Sequence, residues 1–381
     1  MKGKLSALKY VRNNKKQVGI LISVIALTFT VMYVVNAVLM CTVESFKVVF
    51  LEQPKKTAYV ELTLESMGLV NDESLTNEMY KERRLEILEE LKDHKGIDGA
   101  YYTSVLSARY EGIIGETRFL FPLLEKDQIQ SYLDHMDARL IEGRMPENEG
   151  EVIIDSRIMK NNKLKTGDLF DEDLFGDSYI ITGVLESDIF ACAGIPNGSN
   201  NGIYYTVFCD ENNCDMKKLF SDIGIELTSL DSIIDINTQA EFYETECKSV
   251  INTALTAIII VVMIFLAISV LVAYISSMRS RMNEYCLYTS LGFSRIEVYG
   301  MIMREILFDF ISGMLFGTIL TVILMFILKT TVTEPVGLIL KAFYPRQLLK
   351  ITASFAAIIE ILQIPIIVII NSIKTIDRIE E

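Results

Sequence analysis

Four long apolar runs are set among shorter mixed patterns along the chain. Residues 18–40 carry no charge over 23 positions, which at 1.5 Å per residue exceeds the ~30 Å hydrocarbon core of a bilayer. A second uncharged run covers the 30 positions between Lys248 and Arg279, more than one crossing requires. The predicted spans are 18–41, 251–278, 305–328 and 351–373. The excess in the second run predicts a helix that begins near Thr238 and continues inward as a stalk, with no Pro or Gly from there to Met278 to break it. Between the first two spans, residues 42–250 lose the long runs and show mixed α and β periodicity. Helices are expected at 74–95, where Leu85, Leu88 and Leu91 share a face ahead of Gly96, and at 126–136. Strands are expected at 101–109, 117–124, 151–154, 179–185 and 202–209, with turns at Gly112 and Gly115 and at 196–202. The fold class is therefore a membrane protein: four transmembrane α-helices and an α+β extracytoplasmic domain inserted between the first and second.

Charge assigns the sides. Residues 42–250 hold 20 Lys and Arg against 41 Asp and Glu, a charge of −21, and the rest of the chain carries +7 within the total of −14. Residues 1–17 hold Lys2, Lys4, Lys9, Arg12, Lys15 and Lys16 and no acid, so the positive-inside bias places this segment in the cytoplasm, with 5–12 suited to lie along the inner leaflet. The apolar run after it is longer than the ~7–15 residues of a signal-peptide core and lacks a small-x-small cleavage site, so it reads as a retained span. The link 279–304 follows on the same side, 329–350 forms an outer loop, and 374–381 is a cytoplasmic tail. The outer loop, with Lys329, Lys341, Arg346 and Lys350 against Glu334, runs against the rule; the stronger amino-terminal signal and the even number of spans decide the orientation.

Chemistry-bearing residues are few. Cys192, Cys209, Cys214 and Cys247 lie in the acidic block, where two disulfides or free thiols are both compatible with the sequence, and a Cys209–Cys214 loop is sterically possible. His94 and His135 stand near no metal-spaced partner and are expected at the surface of charged helices. No Gly-x-x-x-x-Gly-Lys-Ser/Thr loop occurs, so the chain has no phosphate loop for a nucleotide; an enzymatic role is not expected. Nucleic acid is a poor partner for a block at −21. Asp309 and Glu360 fall within the third and fourth spans. Acids at that depth face a bundle interior or serve an ion relay, and the structural role is the expected one. Gly313 and Gly317 form a small-x-x-x-small pair suited to close helix packing.

The link carries the most specific pattern: Arg281 and Glu284, then Leu291-Gly292, Phe293, Ser294-Arg295, and Glu305 entering the third span. In this order it resembles the FtsX-like permease family, which includes the MacB and LolCE transporters, with departures at Tyr285, Cys286 and Ser290. A second set in the acidic block, Gly143-Arg144 and Pro146, Glu149 to Ile154, Gly167-Asp168, and Gly183-Val184, is similar to the MacB-type external domain. Gly143 and Gly167 suit positive φ and the Val152 to Ile154 run a core strand, so these residues are expected to determine the fold rather than bind.

The resemblance implies the permease subunit of an ABC transporter in a bacterial cell membrane, with both termini cytoplasmic. It implies a separate ATPase partner, which would carry ATP and Mg, no cofactor in this chain, and a homodimer or a heterodimer with a second permease. Arg281, Glu284 and Arg295 would position a short coupling helix whose apolar side includes Leu291 and Phe293, and closure of the ATPase would be transmitted to the external domain. Export of a peptide or amphipathic cargo is the first expectation. Lipoprotein release and control of a cell-wall hydrolase are the alternatives within the family; a membrane sensor is the alternative outside it.

Overall fold

The alternating segments of the acidic block join one mixed sheet of ten strands in the computed structural model, which describes residues 14–69, 76–170, 178–198, 202–209, 215–341 and 343–371. In chain order the elements begin with α1 (Lys15–Lys47), β1 (Thr57–Glu61), α2 (Asn77–Asp93), β2 (Ile97–Glu111), β3 (Glu116–Leu123), α3 (Lys126–His135) and β4 (Arg139–Gly143). Next come β5 (Glu151–Asp155), α4 (Ser156–Asn161), β6 (Leu169–Phe170), β7 (Tyr179–Glu186), β8 (Ala193–Gly194) and β9 (Tyr204–Cys209). The remainder is α5 (Met216–Asp222), β10 (Ser232–Ile234), α6 (Ile236–Phe242), α7 (Lys248–Ser280), α8 (Met282–Ser290), α9 (Arg295–Leu328) and α10 (Pro345–Asn371). By its contacts the chain divides into two units: Met40–Asn252 with Thr331–Leu340, and Met1–Leu39 with Thr253–Thr330 and Lys341–Glu381.

In the first unit the strands lie in the order β10-β1-β9-β2-β3-β8-β5-β7-β4, with β6 on β7. β3–β8 and β5–β7 pair in parallel and the other pairs are antiparallel. The expected strands are present: β2, β5 and β7 run past the predicted bounds, β3 is shifted by one residue, and β9 starts at Tyr204 rather than at 202. β1, β4, β6, β8 and β10 were not expected; all are short, two to five residues, and none has three β-branched residues in a row like Val152 to Ile154 of β5. Helix α2 starts at Thr76, whose hydroxyl accepts from Met79 N at 3.2 Å, and stops before Gly96 at φ +94°. Its buried face keeps two of the three predicted leucines, Leu91 in the core and Leu88 packed against it, and loses Leu85. Ile87 and Leu91 are in the core with Val60, Val207 and Phe220, while Leu85 is 53% exposed. Helix α3 adds Ile129, Tyr132 and Leu133 to a second cluster with Ile153, Leu185 and Phe208.

The expected surface position of His135 is also corrected. Its ring stacks on Phe208 at 5.3 Å and its nitrogens face Asp98 and the Lys56 carbonyl. His94 is half-buried, 3.5 Å from Asp222. Cys209 is disulfide-bonded. Cys192 is a buried free thiol and joins no disulfide, because its Sγ lies inside the sheet, 3.4 Å from Asp155 N. Cys214, the amino-terminal segment 5–12, part of the 196–202 turn and the tail 374–381 lie outside the described residues.

The second unit is helical. Four helices, Lys15–Lys55, Thr256–Ser280, Arg295–Val336 and Pro345–Asn371, are long and apolar enough to cross a membrane. Their bounds differ from the predicted spans at the ends. α1 runs past 41 because neither Pro nor Gly occurs between Gly19 and Pro54. α9 starts ten residues before 305 because Ser294 caps it, and α10 starts at Pro345, a residue suited to a first helical position. The stalk begins at Ile236, where Asp235 and Thr238 form a capping box, but it is not a uniform α-helix: a π-type turn at Tyr243–Cys247 separates α6 from α7.

Close packing in this unit is centred on the two glycines. A Cβ on Gly313 would lie 2.6 Å from Ile25 Cγ2, and one on Gly317 would lie 2.9 Å from the Ala26 carbonyl oxygen. Thr30 Oγ1 donates to the Gly317 carbonyl at 3.1 Å. Phe355 meets Phe29 at 5.6 Å and Phe310 at 6.0 Å between centroids, so α10 completes the contact of α1 with α9. α7 leaves Val261, Phe265 and Val272 exposed by 61–70% within the chain.

Candidate functional site: the link between α7 and α9

The link folds as a short helix between two tight boundaries. α7 ends at Ser280, and Arg281, at φ −104° and ψ 9°, starts α8 without a side-chain cap. α8 ends at Leu291-Gly292, where Gly292 takes φ +85°. The Gly292 and Phe293 amides donate to the Thr289 and Tyr288 carbonyls at 3.0 and 3.1 Å. A side chain at residue 292 would be strained in that left-handed conformation, which explains the Leu-Gly pair. Ser294 then caps α9: its hydroxyl accepts from Glu297 N at 3.3 Å, and Glu297 Oε2 accepts from Ser294 N at 2.7 Å.

Arg281 holds the link to α9. Its side chain is 7% exposed, its Nη1 donates to Glu305 Oε2 at 2.7 Å, its Nη2 lies 3.5 Å from Glu305 Oε1, and its Nε donates to Glu284 Oε2 at 3.2 Å. The guanidinium also stacks over Tyr285 at 5.0 Å. A guanidinium buried among two carboxylates and an aromatic ring fixes three positions of the chain at once. One turn beyond Glu305, Asp309 is buried; its Oδ2 accepts from Tyr274 of α7 at 3.2 Å, and its Oδ1 is unpaired.

Residues 281, 284 and 305, 24 positions apart at the extremes, are thus brought together inside the link. Leu291 and Ile296 point outward, 62% and 81% exposed, beside exposed Leu287. Phe293 is half-buried against Tyr288, with ring centroids 6.3 Å apart, and Arg295 is on the exposed side. The arrangement has a fixed polar interior and an apolar outer edge. Among the described residues no group of three or more His, Cys, Asp or Glu could hold a metal ion. The two intramembrane acids are not brought together. Asp309 faces the helix interior, whereas Glu360, expected to do the same, is exposed midway along α10; the apolar stripe of Phe355, Ile358, Leu362 and Ile366 turns it outward.

The glycine-rich pattern of the sheet unit forms one compact corner. Gly143 and Gly183 lie where β4 and β7 cross: a Cβ on Gly143 would lie 2.2 Å from the Thr182 carbonyl oxygen, and one on Gly183 2.7 Å from that of Arg144. Arg144 Nη1 and Nη2 donate to the two oxygens of Glu151 at 2.8 and 2.6 Å, and Glu151 also accepts from the amides of Glu147 and Asn148 and from Asn148 Nδ2. The Arg144 bond, with the Asn148 side chain and the two amides, holds the Glu151 carboxyl well below the usual range against the opposing effect of burial. Pro146 is buried. Gly167 N donates to the Ile181 carbonyl at 2.7 Å, and Asp168 Oδ2 accepts from Lys165 N at 2.8 Å. These bonds are internal to the fold.

Sequence reading missed Tyr110, Arg157 and Gly337 altogether. Gly337, at φ +70°, sits where a Cβ would fall 2.1 Å from the Arg157 carbonyl oxygen. An isolated glycine in a loop gives no sign of such an approach.

No protein-family model and no curated protein matches the chain. Among solved structures, the periplasmic region of MacB from Actinobacillus actinomycetemcomitans aligns at 12% identity and a TM-score of 0.26, covering 50% of this chain and 94% of that one. The extracellular domain of the noncanonic ABC-type transporter YknZ from Gram-positive bacteria aligns at 15% identity and a TM-score of 0.26, covering 47% of this chain and all of that one. At those values neither likeness decides function.

Proposed function

We propose that this chain is the permease subunit of an ABC-type transporter of the FtsX/MacB kind. It works through a separate ATPase and transmits conformational change to an extracytoplasmic sheet unit, for export of a peptide or similar amphipathic cargo. The observation that carries the reading is the link: an interior fixed by Arg281, Glu284 and Glu305, and an apolar edge at Leu287, Leu291 and Ile296 that the chain itself leaves uncovered. A rigid element with an apolar edge on the positive-inside side suits docking into a groove of a partner. The absence of a phosphate loop in the sequence requires that partner to bring the nucleotide site.

The test is affinity purification of the full chain from its native membranes. A co-purifying protein that carries a phosphate loop and hydrolyses ATP is expected with the wild type and is lost in the double variant Leu291→Asp/Ile296→Asp. A wild-type preparation without such an ATPase, or a double variant that retains it, overturns the reading.

A further inference from the structure

The segment Thr331–Leu340, between α9 and α10, groups by its contacts with the sheet unit and not with the helices it joins. Lys329–Thr333 makes a π-type turn and Glu334–Val336 a 3₁₀ turn, and Gly337 closes it in the left-handed region. The loop is held on a prepared surface. Its floor is Tyr110 of β2, whose ring lies on Phe190 with centroids 4.8 Å apart, and Arg157 of α4, whose guanidinium lies 4.6 Å from the same ring. Arg157 cannot yield easily. It donates to both oxygens of fully buried Asp155 and to the Ser187 and Asp188 carbonyls. The Arg157 backbone in turn meets Gly337 at a distance that admits no Cβ.

Three hydrogen bonds complete the contact. The Tyr110 hydroxyl donates to the Gly337 carbonyl at 2.8 Å and shares a 3.0 Å hydrogen bond with Ser45 Oγ, and Asn161 Nδ2 donates to the Val336 carbonyl at 3.2 Å. Burial pushes the Tyr110 hydroxyl up to about 12, so it stays protonated and available as a donor at physiological pH. Ser45 belongs to the outer end of α1. Three residues earlier, Thr42 Oγ1 accepts the Ile113 and Ile114 amides at 3.0 and 3.1 Å.

One fully buried hydroxyl thus joins the segment that leaves the first span, a central strand of the sheet, and the loop that leaves the third. We propose that Thr331–Leu340 is a strap built into the sheet unit, clasped at Gly337 by Tyr110 and Arg157, through which movement of that unit is passed to α9 and α10. Gly337, Tyr110 and Arg157 are positioning residues. The stalk is then one of four covalent connections between sheet and spans, with the end of α1 and the two ends of the strap. The transmission role rests on the permease reading; the clasp does not.

The test uses the full chain with its ATPase in lipid nanodiscs, followed by hydrogen–deuterium exchange with and without a non-hydrolysable ATP analogue. In the wild type the Gly337 and Leu338 amides, bonded to the Glu334 and Thr333 carbonyls, are expected to be protected. Gly337→Val should exchange them at least about tenfold faster while the β2–β9 amides stay as protected as before. Tyr110→Phe, which keeps the ring and removes only the hydroxyl, should do so by a smaller factor. Nucleotide should change exchange in both the sheet unit and residues 326–345 of the wild type, and only in the sheet unit of Gly337→Val. A strap that is unprotected in the wild type, or unaltered protection in both variants, overturns the clasp. An undiminished response of residues 326–345 in Gly337→Val overturns the transmission role. A chain with no nucleotide response anywhere refutes the permease reading and with it transmission, and leaves the clasp to be judged on amide protection alone.

Discussion

Arg281 and Glu305, 24 residues apart, form a buried ion pair at 2.7 Å with both side chains no more than 7% exposed. The pair ties the residue that starts the short helix α8 to α9, ten residues past the first residue of that helix. Removing one member of a buried pair leaves an uncompensated charge, a loss of ~3–5 kcal/mol, whereas replacing both with apolar residues of similar size is close to neutral. Arg281→Met and Glu305→Met are expected to lower the thermal unfolding midpoint of the purified chain sharply, and Arg281→Met/Glu305→Met to restore most of it. Single variants that unfold like the wild type would show that the pair holds nothing.

Helix contact at Gly313 and Gly317 is limited by the backbone and by Ile25, a side chain with little rotameric freedom. Gly317→Ala places a methyl against the Ala26 carbonyl oxygen and should cost ~1–3 kcal/mol, with Gly317→Ile costing more. The order wild type, Ala, Ile in thermal stability is the result to check; equal stability would contradict close packing at this position.

Asp309 distinguishes a structural acid from an ion relay. Asp309→Asn keeps an acceptor for the Tyr274 hydroxyl and, on the permease reading proposed above, should leave transport and stability near wild type. Asp309→Leu removes that buried hydrogen bond, at ~1–3 kcal/mol. Transport abolished by Asp309→Asn with stability intact would instead establish a role for the ionisable carboxyl.

Acid should unfold the sheet unit through Glu151. A carboxylate whose folded pKa is depressed contributes stability that is fully present above its ordinary value of about 4.5 and is lost as pH falls through the folded pKa. Denaturation of the wild type should therefore steepen below about pH 4.5, and Glu151→Gln should be less stable at neutral pH by ~1.5–3 kcal/mol with a shallower acid limb. Parallel acid limbs for the two proteins would refute the assignment.

The long apolar helices, an α/β domain built from the acidic block, and the turns at Gly143 and Gly167 were legible in the sequence because each is a local signal. An uncharged run has a length, a charge bias has a sign, and a glycine beside alternating apolar residues indicates a turn. Arg281, Glu284 and Glu305 could be picked out as a pattern, but not as a buried cluster. The same residues arranged outward would have written the same sequence. The direction of each side chain was decided by tertiary packing: Leu85 faced out and Ile87 in because the β-sheet lies on one side of α2, and Glu360 turned outward because the apolar stripe of α10 claimed the opposite face. The strap at Gly337 was invisible for the same reason. Its meaning lies in an approach to Arg157 across 180 residues, and only the folded chain brings a backbone carbonyl to a place where a Cβ cannot fit.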